Sequence, residues 1–283
     1  MYEELTTHAK YTDRLSFHRT GLEFYYDAEI EEVYIDLLSK HWSRHASSQS
    51  VSVRVTYVTR HLGRFTEEKS FPVVKESGRW RVPWKWEYLM GGLTEQSHIQ
   101  TTVDYARRGA IKGGDPEPYA YDAPGYMVWI TPQELDTTKE ESLYALLADA
   151  FGNRVQAINL HQRVVSNALP SHPIPVGILP QKAAQDIATV LSFRGVTLTS
   201  HLARLSYPEK VSNIGKIRNT SYVECCSYLY TTTAYDGETE LEKENNTILK
   251  GINGGTVVIK DASDRVIRTI LEVEKKEGKD VKI

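Results

Sequence analysis

Strict alternation of apolar and polar residues marks the clearest element in the first third of the chain. Val51, Val53, Val55 and Tyr57 alternate with polar residues, which predicts a half-buried β-strand. Turns at 62–65 and 76–78 separate this strand from two more, at 69–75 and 79–86. The last of these strands is expected to carry its large apolar residues on one face: Trp80, Val82, Trp84 and Trp86.

The residues before this sheet favour a helix. Ser16 is the expected N-cap. The expected buried face of the helix is formed by apolar residues at helical spacing: Phe17, Leu22, Phe24, Tyr25 and Ala28. The following stretch, 29–45, fits a helix through Ile30, Val33 and Leu37 and fits a strand through Val33, Ile35 and Leu37. A helix followed by a curled antiparallel sheet predicts an α+β fold shaped as a cone.

The rest of the chain alternates between short strands and helices. A polar connection is expected at 94–104, strands at 105–111 and 126–130, and helices near 138–151, 156–165 and 180–195. Near the end, the β-branched runs 256–260 and 266–270 flank a polar turn, which predicts a hairpin with a four- or five-residue loop. Residues 280–283 begin another strand, which we expect to continue in a longer protein.

Composition places the chain among ordinary globular proteins. It has 283 residues, 40% hydrophobic and 25% charged, enough for two domains with separate cores. A net charge of −3 argues against nucleic acid as a partner, because phosphate contacts need a basic face. Cys225 and Cys226 are adjacent and indicate no disulfide framework. No apolar run approaches the roughly 18 residues of a membrane span.

The last 49 residues, 235–283, resemble the stretch that precedes the transpeptidase domain in class B penicillin-binding proteins. That family runs G-x-x-G-L-E, a helix, L-x-G-x-x-G, a hairpin, and G-x-D-V-x-L-T-I-D. The matching positions here are Gly237, Leu241, Glu242, Gly251, Gly254 and 278–281. Glu240 stands where the family usually has glycine.

Two further segments are similar to the methicillin-resistance branch of that family. Arg108, Gly109 and Ile111 match the R-G-x-I that opens its pedestal, or dimerisation, domain, although a longer loop at 112–118 follows here. Trp80 and Trp84 match the W-x-x-x-W of its preceding domain, which has the nuclear-transport-factor fold. The resemblance therefore implies a nuclear-transport-factor-like cone domain at 1–95 and a mixed α+β pedestal domain at 96–283.

The resemblance implies a non-catalytic, extracytoplasmic segment that positions a transpeptidase domain for peptidoglycan cross-linking. Its expected partners are that domain in the same chain, peptidoglycan and cell-wall synthesis proteins, with the membrane reached only through an anchor outside this sequence. No cofactor is expected. The alternative is a free-standing cone-fold protein that binds a small molecule or acts as an isomerase, and a further alternative is a cytosolic adaptor.

Catalytic motifs and metal sites are weak or absent in the sequence. Penicillin-reactive enzymes need S-x-x-K, S-x-N and K-[ST]-G, and none of them occurs. His41 and His45 have metal-ligand spacing without a third ligand nearby, so two solvated or helix-capping histidines are the favoured interpretation. Asp27, Glu29 and His18 could serve proton transfer in a cone pocket, although core packing is favoured there. Arg108 has two acidic candidates for an ion pair, Glu240 and Glu242.

Overall fold

The computed structural model describes residues 4–6, 14–40, 46–151, 157–167, 169–207, 211–218, 221–223, 228–230 and 236–283. Two compact units account for the chain. The first unit combines Met1–Asp104 with Gly254–Glu274, and the second combines Tyr105–Asn253 with Lys275–Ile283. His41, His45 and the two cysteines lie outside the described residues.

Helices and strands alternate irregularly along the chain. The helices are α1 (Arg14–Asp27), α2 (Glu140–Ala150), α3 (Ala157–Val165), α4 (Ala184–Val190), α5 (Glu240–Glu244) and α6 (Asn246–Leu249). The strands are β1 (Ile30–Lys40), β2 (Ser48–Thr59), β3 (Gly63–Glu76), β4 (Arg79–Arg81), β5 (His98–Asp104), β6 (Ile111–Lys112), β7 (Ala120–Ile130), β8 (Ile174–Pro180), β9 (Val196–Ser206), β10 (Ile217–Arg218), β11 (Ser221–Val223), β12 (Tyr228–Tyr230), β13 (Asp236–Gly237), β14 (Gly254–Lys260), β15 (Val266–Val273) and β16 (Val281–Lys282). Short 3₁₀ helices occur at Trp86–Tyr88, Pro132–Glu134 and Gln181–Ala183.

The first unit contains a four-stranded antiparallel sheet in the order β1-β2-β3-β4 and a three-stranded sheet in the order β15-β14-β5. Its core joins both sheets to α1 through buried side chains of each: Phe24, Ala28, Ile30, Val53, Val55, Tyr57, Ile99, Val257 and Ile259. The alternation seen in the sequence of β2 therefore does point its odd-numbered side chains inward. The ambiguous stretch after α1 is a strand as far as Lys40, and α1 begins at Arg14, so Ser16 is not its N-cap.

The third predicted strand, 79–86, is much shorter than expected. β4 ends at Arg81, Pro83 follows without a backbone N–H to donate, and Trp86 already belongs to the 3₁₀ helix. Residues 4–6 pair with the chain just after β4. Val82 N donates to Glu4 O (2.9 Å), and Thr6 N donates to Val82 O (3.0 Å). Trp80 and Trp84 therefore do not share one strand face. Trp84 leaves the sheet and packs on Phe17, with ring centroids 5.4 Å apart.

The predicted polar connection at 94–104 was wrong in its second half. Residues His98–Asp104 form β5, which pairs antiparallel with β14 from Asp104↔Gly254 to His98↔Lys260. His98, Gln100 and Thr102 face outward while Ile99 enters the core, an alternation that the polar Thr101 on the inward face hides in the sequence. The two compact units consequently differ from the domains predicted with a boundary at 95/96. The hairpin β14–β15, assigned from sequence to the second domain, belongs to the first unit.

The second unit is built on β7, its longest central strand. β9 pairs with β7 along one side from Ala120↔Ser206 to Ile130↔Val196, while β8 pairs with residues Gly125 to Ile130 of β7. β6 pairs antiparallel with the start of β7 through Ile111 and Ala120, and β16 pairs parallel with β6. The core contains buried residues from β7, β8 and helices α2, α3 and α4: Val128, Ile130, Leu143, Leu147, Leu160, Val176, Leu179 and Val190.

Replacing Trp84 by alanine should destabilise the first unit by about 3 kcal/mol, because the ring packs on Phe17 and Trp86 beside buried Leu5. Leu15→Ala is the control. The Leu15 side chain is 79% exposed, so its loss should cost clearly less. Urea unfolding followed by circular dichroism measures both variants. Equal losses would show that Trp84 does not anchor the core.

Candidate functional site

The side chain of Arg108 lies in the interior of the second unit, just before β6. Its side chain is 1% exposed, and three of its hydrogen bonds join it to other described residues. Nε donates to Glu242 Oε2 (2.7 Å), Nη1 to Asn246 Oδ1 (2.8 Å), and Nη2 to the backbone carbonyl of Glu242 (2.9 Å). Of the two acidic candidates that the sequence offered, Glu242 binds Arg108, whereas Glu240 is exposed. The early segment of the unit is thereby joined to α5 and α6, more than 130 positions later.

A second buried arginine completes the cluster. Arg204 on β9 lies directly across from Asp122 on β7, and its Nη1 donates to Asp122 Oδ1 (3.1 Å). Its Nε donates to the other oxygen of Glu242, Oε1 (2.9 Å). Asp122 Oδ2 in turn accepts the backbone N–H of Arg108 (2.7 Å). Two guanidinium groups and two carboxylates are thus buried together with no net charge, the condition under which interior charges are tolerated.

Burial and ion pairing oppose each other at this site. Burial lowers the pKa of Arg108, while the charge and hydrogen bond of Glu242 act to raise it. Burial likewise raises the pKa of Asp122, against the charge of Arg204 and the hydrogen bond from the Arg108 backbone. At Arg108 and at Asp122, an oppositely charged partner therefore offsets the cost of burying the charge. Removing one member leaves an uncompensated charge in the interior, which is far more costly than losing a surface pair.

Asn246 extends the cluster toward the surface. Its Oδ1 accepts the N–H of Gly237 (3.0 Å) as well as the bond from Arg108, and its Nδ2 donates to Asp236 Oδ1 (2.9 Å). Lys250 Nζ donates to the same Asp236 oxygen (2.7 Å). Although burial raises the pKa of Asp236, these hydrogen bonds leave it below its usual range. The polar chain thus connects an exposed lysine on one side with a buried arginine on the other.

Three glycines around Arg108 allow backbones to approach closely. A Cβ on Gly109 would lie 1.9 Å from Lys279 O, and one on Gly278 would lie 1.8 Å from Leu249 O. A Cβ on Gly237 would lie 1.9 Å from Glu242 O. These contacts are backbone atoms that cannot rotate away, so only glycine fits these positions. The same approach permits the hydrogen bonds Gly109 N to Leu249 O (2.9 Å) and Gly278 N to Arg107 O (2.8 Å).

The site residues predicted from sequence fall into two groups. Those brought together in the second unit are Arg108, Gly109, Ile111, Gly237, Leu241, Glu242 and Gly251, with Ile111 and Leu241 in one apolar cluster beside Leu249 and Val281. Trp80 and Trp84 lie in the first unit, as does Gly254, which begins β14. Sequence reasoning missed Asp122, Arg204 and Asn246. The sequence did show one charged residue in each of two strands, Asp122 and Arg204. That these two residues pair could be known only from the register of β7 and β9.

Comparison with protein families decides what this cluster belongs to. The model of the penicillin-binding protein dimerisation domain matches residues 103–283. The chain belongs to this family. The dimerisation domain is a non-catalytic region of penicillin-binding proteins, and here it contains the whole Arg108 cluster. A search of curated proteins finds no match.

In the part of the chain that the structure describes, no group of three or more His, Cys, Asp or Glu side chains is arranged to hold a metal ion. None of the helices among the described residues has the length and apolar character needed to cross a membrane. Asp27 and Glu29 lie in the first unit, and burial raises their pKa values to about 6 and about 7 respectively.

Replacing Arg108 by methionine should destabilise the dimerisation domain by about 3–5 kcal/mol, because Glu242 would remain buried without one of its two arginines. Glu242→Gln should cost a similar amount. The double variant should lose less than the sum of the two single variants, which measures the coupling. A charge swap should rescue poorly, because an arginine at 242 would face Arg204. Urea unfolding measures each variant.

The exposed pair of Arg54 and Glu68 is the control for this cycle. Its side chains are 46% and 60% exposed with a separation of 2.8 Å. The same cycle with Arg54→Met and Glu68→Gln should give less than about 1 kcal/mol in every variant. Additive effects at Arg108 and Glu242, as small as those at the surface, would contradict a coupled interior cluster.

Glu240 has a positive backbone φ of 50°, in the left-handed region that favours glycine. A left-handed backbone conformation costs a non-glycine residue about 1–2 kcal/mol. Glycine removes this cost but also raises the conformational entropy of the unfolded chain, so Glu240→Gly should raise the free energy of unfolding by up to about 1 kcal/mol. Glu240→Ala removes the same carboxylate but keeps Cβ, so it should give no such gain. A glycine variant no more stable than the alanine variant would show that this turn is unstrained.

Proposed function

We propose that the chain is the non-catalytic, extracytoplasmic part of a class B penicillin-binding protein of the methicillin-resistance type. In this proposal the first unit is the nuclear-transport-factor-like domain, and the dimerisation domain is the pedestal that positions a serine D,D-transpeptidase domain for peptidoglycan cross-linking. The parent protein is a membrane-anchored enzyme. This segment itself performs no acylation, because the sequence contains no S-x-x-K, S-x-N or K-[ST]-G motif.

The observation that carries the proposal is the way the dimerisation domain fixes its last strand. β16 pairs parallel with β6, and Val281 N donates to Ala110 O (2.8 Å). Ala110 N donates to Asp280 Oδ1 (2.8 Å), while Lys112 Nζ lies 2.6 Å from the other Asp280 oxygen. Backbone hydrogen bonds and side-chain contacts with β6 and the residues just before it therefore fix the position of residues 278–283. A catalytic domain continuing from this strand would start from a defined position and direction.

The first unit supports the finer assignment through its architecture. Among the described residues of this unit, the helix α1 packs with a four-stranded antiparallel sheet, and their shared side encloses apolar side chains of α1 and β2. This arrangement is compatible with the nuclear-transport-factor fold implied by the tryptophan pattern. The hairpin β14–β15 is an addition to that plan, since it comes from the segment that follows α6.

The proposed partners follow from the same resemblance. They are the transpeptidase domain in the same chain, peptidoglycan and other proteins of cell-wall synthesis, all at the outer face of the cell membrane. Nucleic acid is not proposed, because the net charge of −3 offers no general attraction to phosphate.

A second candidate is a free-standing cone-fold protein that binds a small molecule. The observation in its favour is an apolar cavity of about 290 Å³ in the first unit. Against it stands the match to the dimerisation domain, which covers most of the chain. The coding sequence on either side separates the two candidates, because the first requires a membrane anchor upstream and S-x-x-K downstream.

A fluorescent penicillin tests the assignment directly. The isolated chain should remain unlabelled, whereas the full-length product of the same gene should form a covalent adduct at a serine outside residues 1–283. A stoichiometric adduct on the isolated chain, or an unlabelled full-length product that is folded, would overturn the proposal.

The positioning role requires a separate measurement in the full-length protein. A flexible Gly-Ser linker of about ten residues inserted after Ile283 would release the catalytic domain from β16. Acylation by penicillin should continue at its normal rate, while cross-linking of peptidoglycan in cells should fall. The same linker inserted into the exposed hairpin loop at 261–265 is the control. Normal cross-linking with the linker after Ile283 would show that this connection does not position the enzyme.

A further inference from the structure

The strand β1 forms one edge of the four-stranded sheet in the first unit. It pairs with β2 on one side, and among the strands that the structure describes none lies on its other side. An edge strand presents a row of backbone N–H and C=O groups that can pair with a further strand. Because β1 has 11 residues, this row is long for a strand of a globular protein.

The middle of β1 lacks the features that usually prevent pairing at a sheet edge. Irregular pairing with β2, which twists an edge away from other strands, occurs near the two ends, at 30–32 and 37–39. The segment 32–37, here called the open edge, contains no lysine, arginine or proline. Ile35 is 65% exposed and Leu37 is 52% exposed. The open edge is therefore suited to accept another strand.

The inward face of the open edge is apolar. Val33, Ile35 and Leu37 pair with buried residues of β2 and therefore lie on the face of the sheet that carries the core. Suppose that a second copy adds its own β1 antiparallel, about a two-fold axis at Ile35. Ile35 then lies opposite its own counterpart, and Val33 lies opposite Leu37, so apolar residues meet along the whole inward face. Moving the axis by two positions would place Ile35 opposite Glu31 or Ser39 instead.

The charges on the outward face select the same register. Glu32 and Asp36 are the carboxylates of the open edge, and Tyr34 lies between them with its hydroxyl donating to Glu32 Oε2 (2.5 Å). With the axis at Ile35, Asp36 lies opposite Tyr34. Glu32 then lies opposite Leu38, which carries no charge. Moving the axis by one position would place Glu32 opposite Asp36, or Asp36 opposite its own counterpart, and like charges directly opposite each other are unfavourable.

We propose that the open edge is a self-association surface, on which a second copy of this chain adds its own β1 antiparallel about a two-fold axis at Ile35. The two four-stranded sheets then become one continuous sheet. Strand pairing buries a small area, so the dimer is weak and reversible. β1 lies outside the residues 103–283 that match the dimerisation-domain model, so this surface is distinct from that domain and does not depend on the proposed transpeptidase function.

Sedimentation velocity of the complete chain, from micromolar to submillimolar protein, tests the self-association. The native chain should convert reversibly from monomer to dimer. Ile35→Lys brings two like charges together at the axis and should raise the Kd of the dimer by about tenfold or more. Ile267→Lys is the matched control, because Ile267 is 50% exposed on β15, the edge strand of the other sheet, and should leave Kd unchanged. A native chain that stays monomeric throughout, or equal effects of the two variants, would overturn the proposal.

Cysteine cross-linking tests the register and needs only a small population of the dimer. In a Cys225→Ser, Cys226→Ser background, Ile35→Cys should form a disulfide-linked dimer under mild oxidation, because residues directly opposite each other have Cα atoms about 4.5–5.5 Å apart. Leu37→Cys is the control, since its counterpart would lie four residues along the strand, about 13 Å away.

A mixture of the Leu37→Cys and Val33→Cys proteins should cross-link, although neither does so alone. Circular dichroism verifies that each variant is folded. Should Ile35→Lys fail to fold, the cysteine variants still decide the proposal. Leu37→Cys cross-linking as fast as Ile35→Cys, or an Ile35→Cys chain that stays monomeric under oxidation, would refute the antiparallel pairing about Ile35.

Discussion

The second unit depends on the ion pair between Arg108 and Glu242. Glu242 uses both carboxylate oxygens, one toward Arg108 and one toward Arg204, and its own backbone carbonyl accepts a third bond. Without it, both guanidinium groups would lose a carboxylate partner in this interior. The pair therefore fixes β7, β9, α5 and the start of β6 relative to one another. A well-packed apolar replacement could be as stable, but it would not select this register of segments.

The glycines act on the same junction through backbone distance. Arg108 can reach Glu242 because Gly109 and Gly278 let the segment before β6, the end of α6 and the segment before β16 lie in direct contact. Gly237 similarly allows β13 to approach the carbonyl of Glu242. Charge pairing and close backbone approach therefore reinforce each other. The conformation that satisfies the buried charges is the same one that leaves no room for a Cβ.

Sequence reasoning reached the parts of the structure that depend on local pattern. Alternation predicted β2, and two β-branched runs around a polar turn predicted the hairpin β14–β15. The family resemblance offered Glu240 and Glu242 as partners of Arg108, and Glu242 is the one that binds it. It failed where the outcome depends on distant pairing. Residues 98–104 look polar alone and become a strand only beside β14, and Asp122 becomes a partner of Arg204 only through the register of β7 and β9. Pro83 was visible in the sequence, and its effect on the length of β4 was underestimated.

The composition of the first unit constrains how its core can form. Ile99 of β5 and Val257 and Ile259 of β14 are as deeply buried as Val53 and Val55 of β2, so a fragment ending near residue 95 would lack part of its own core. β5 alone cannot supply the missing surface, because it pairs with β14, which follows it by about 150 positions. The first unit therefore reaches its final packing only after the chain of the dimerisation domain has been made as far as β15. The chain passes from one unit to the other three times, at 104/105, 253/254 and 274/275. Cleaving the chain at one position therefore cannot yield two fragments that each contain a complete core.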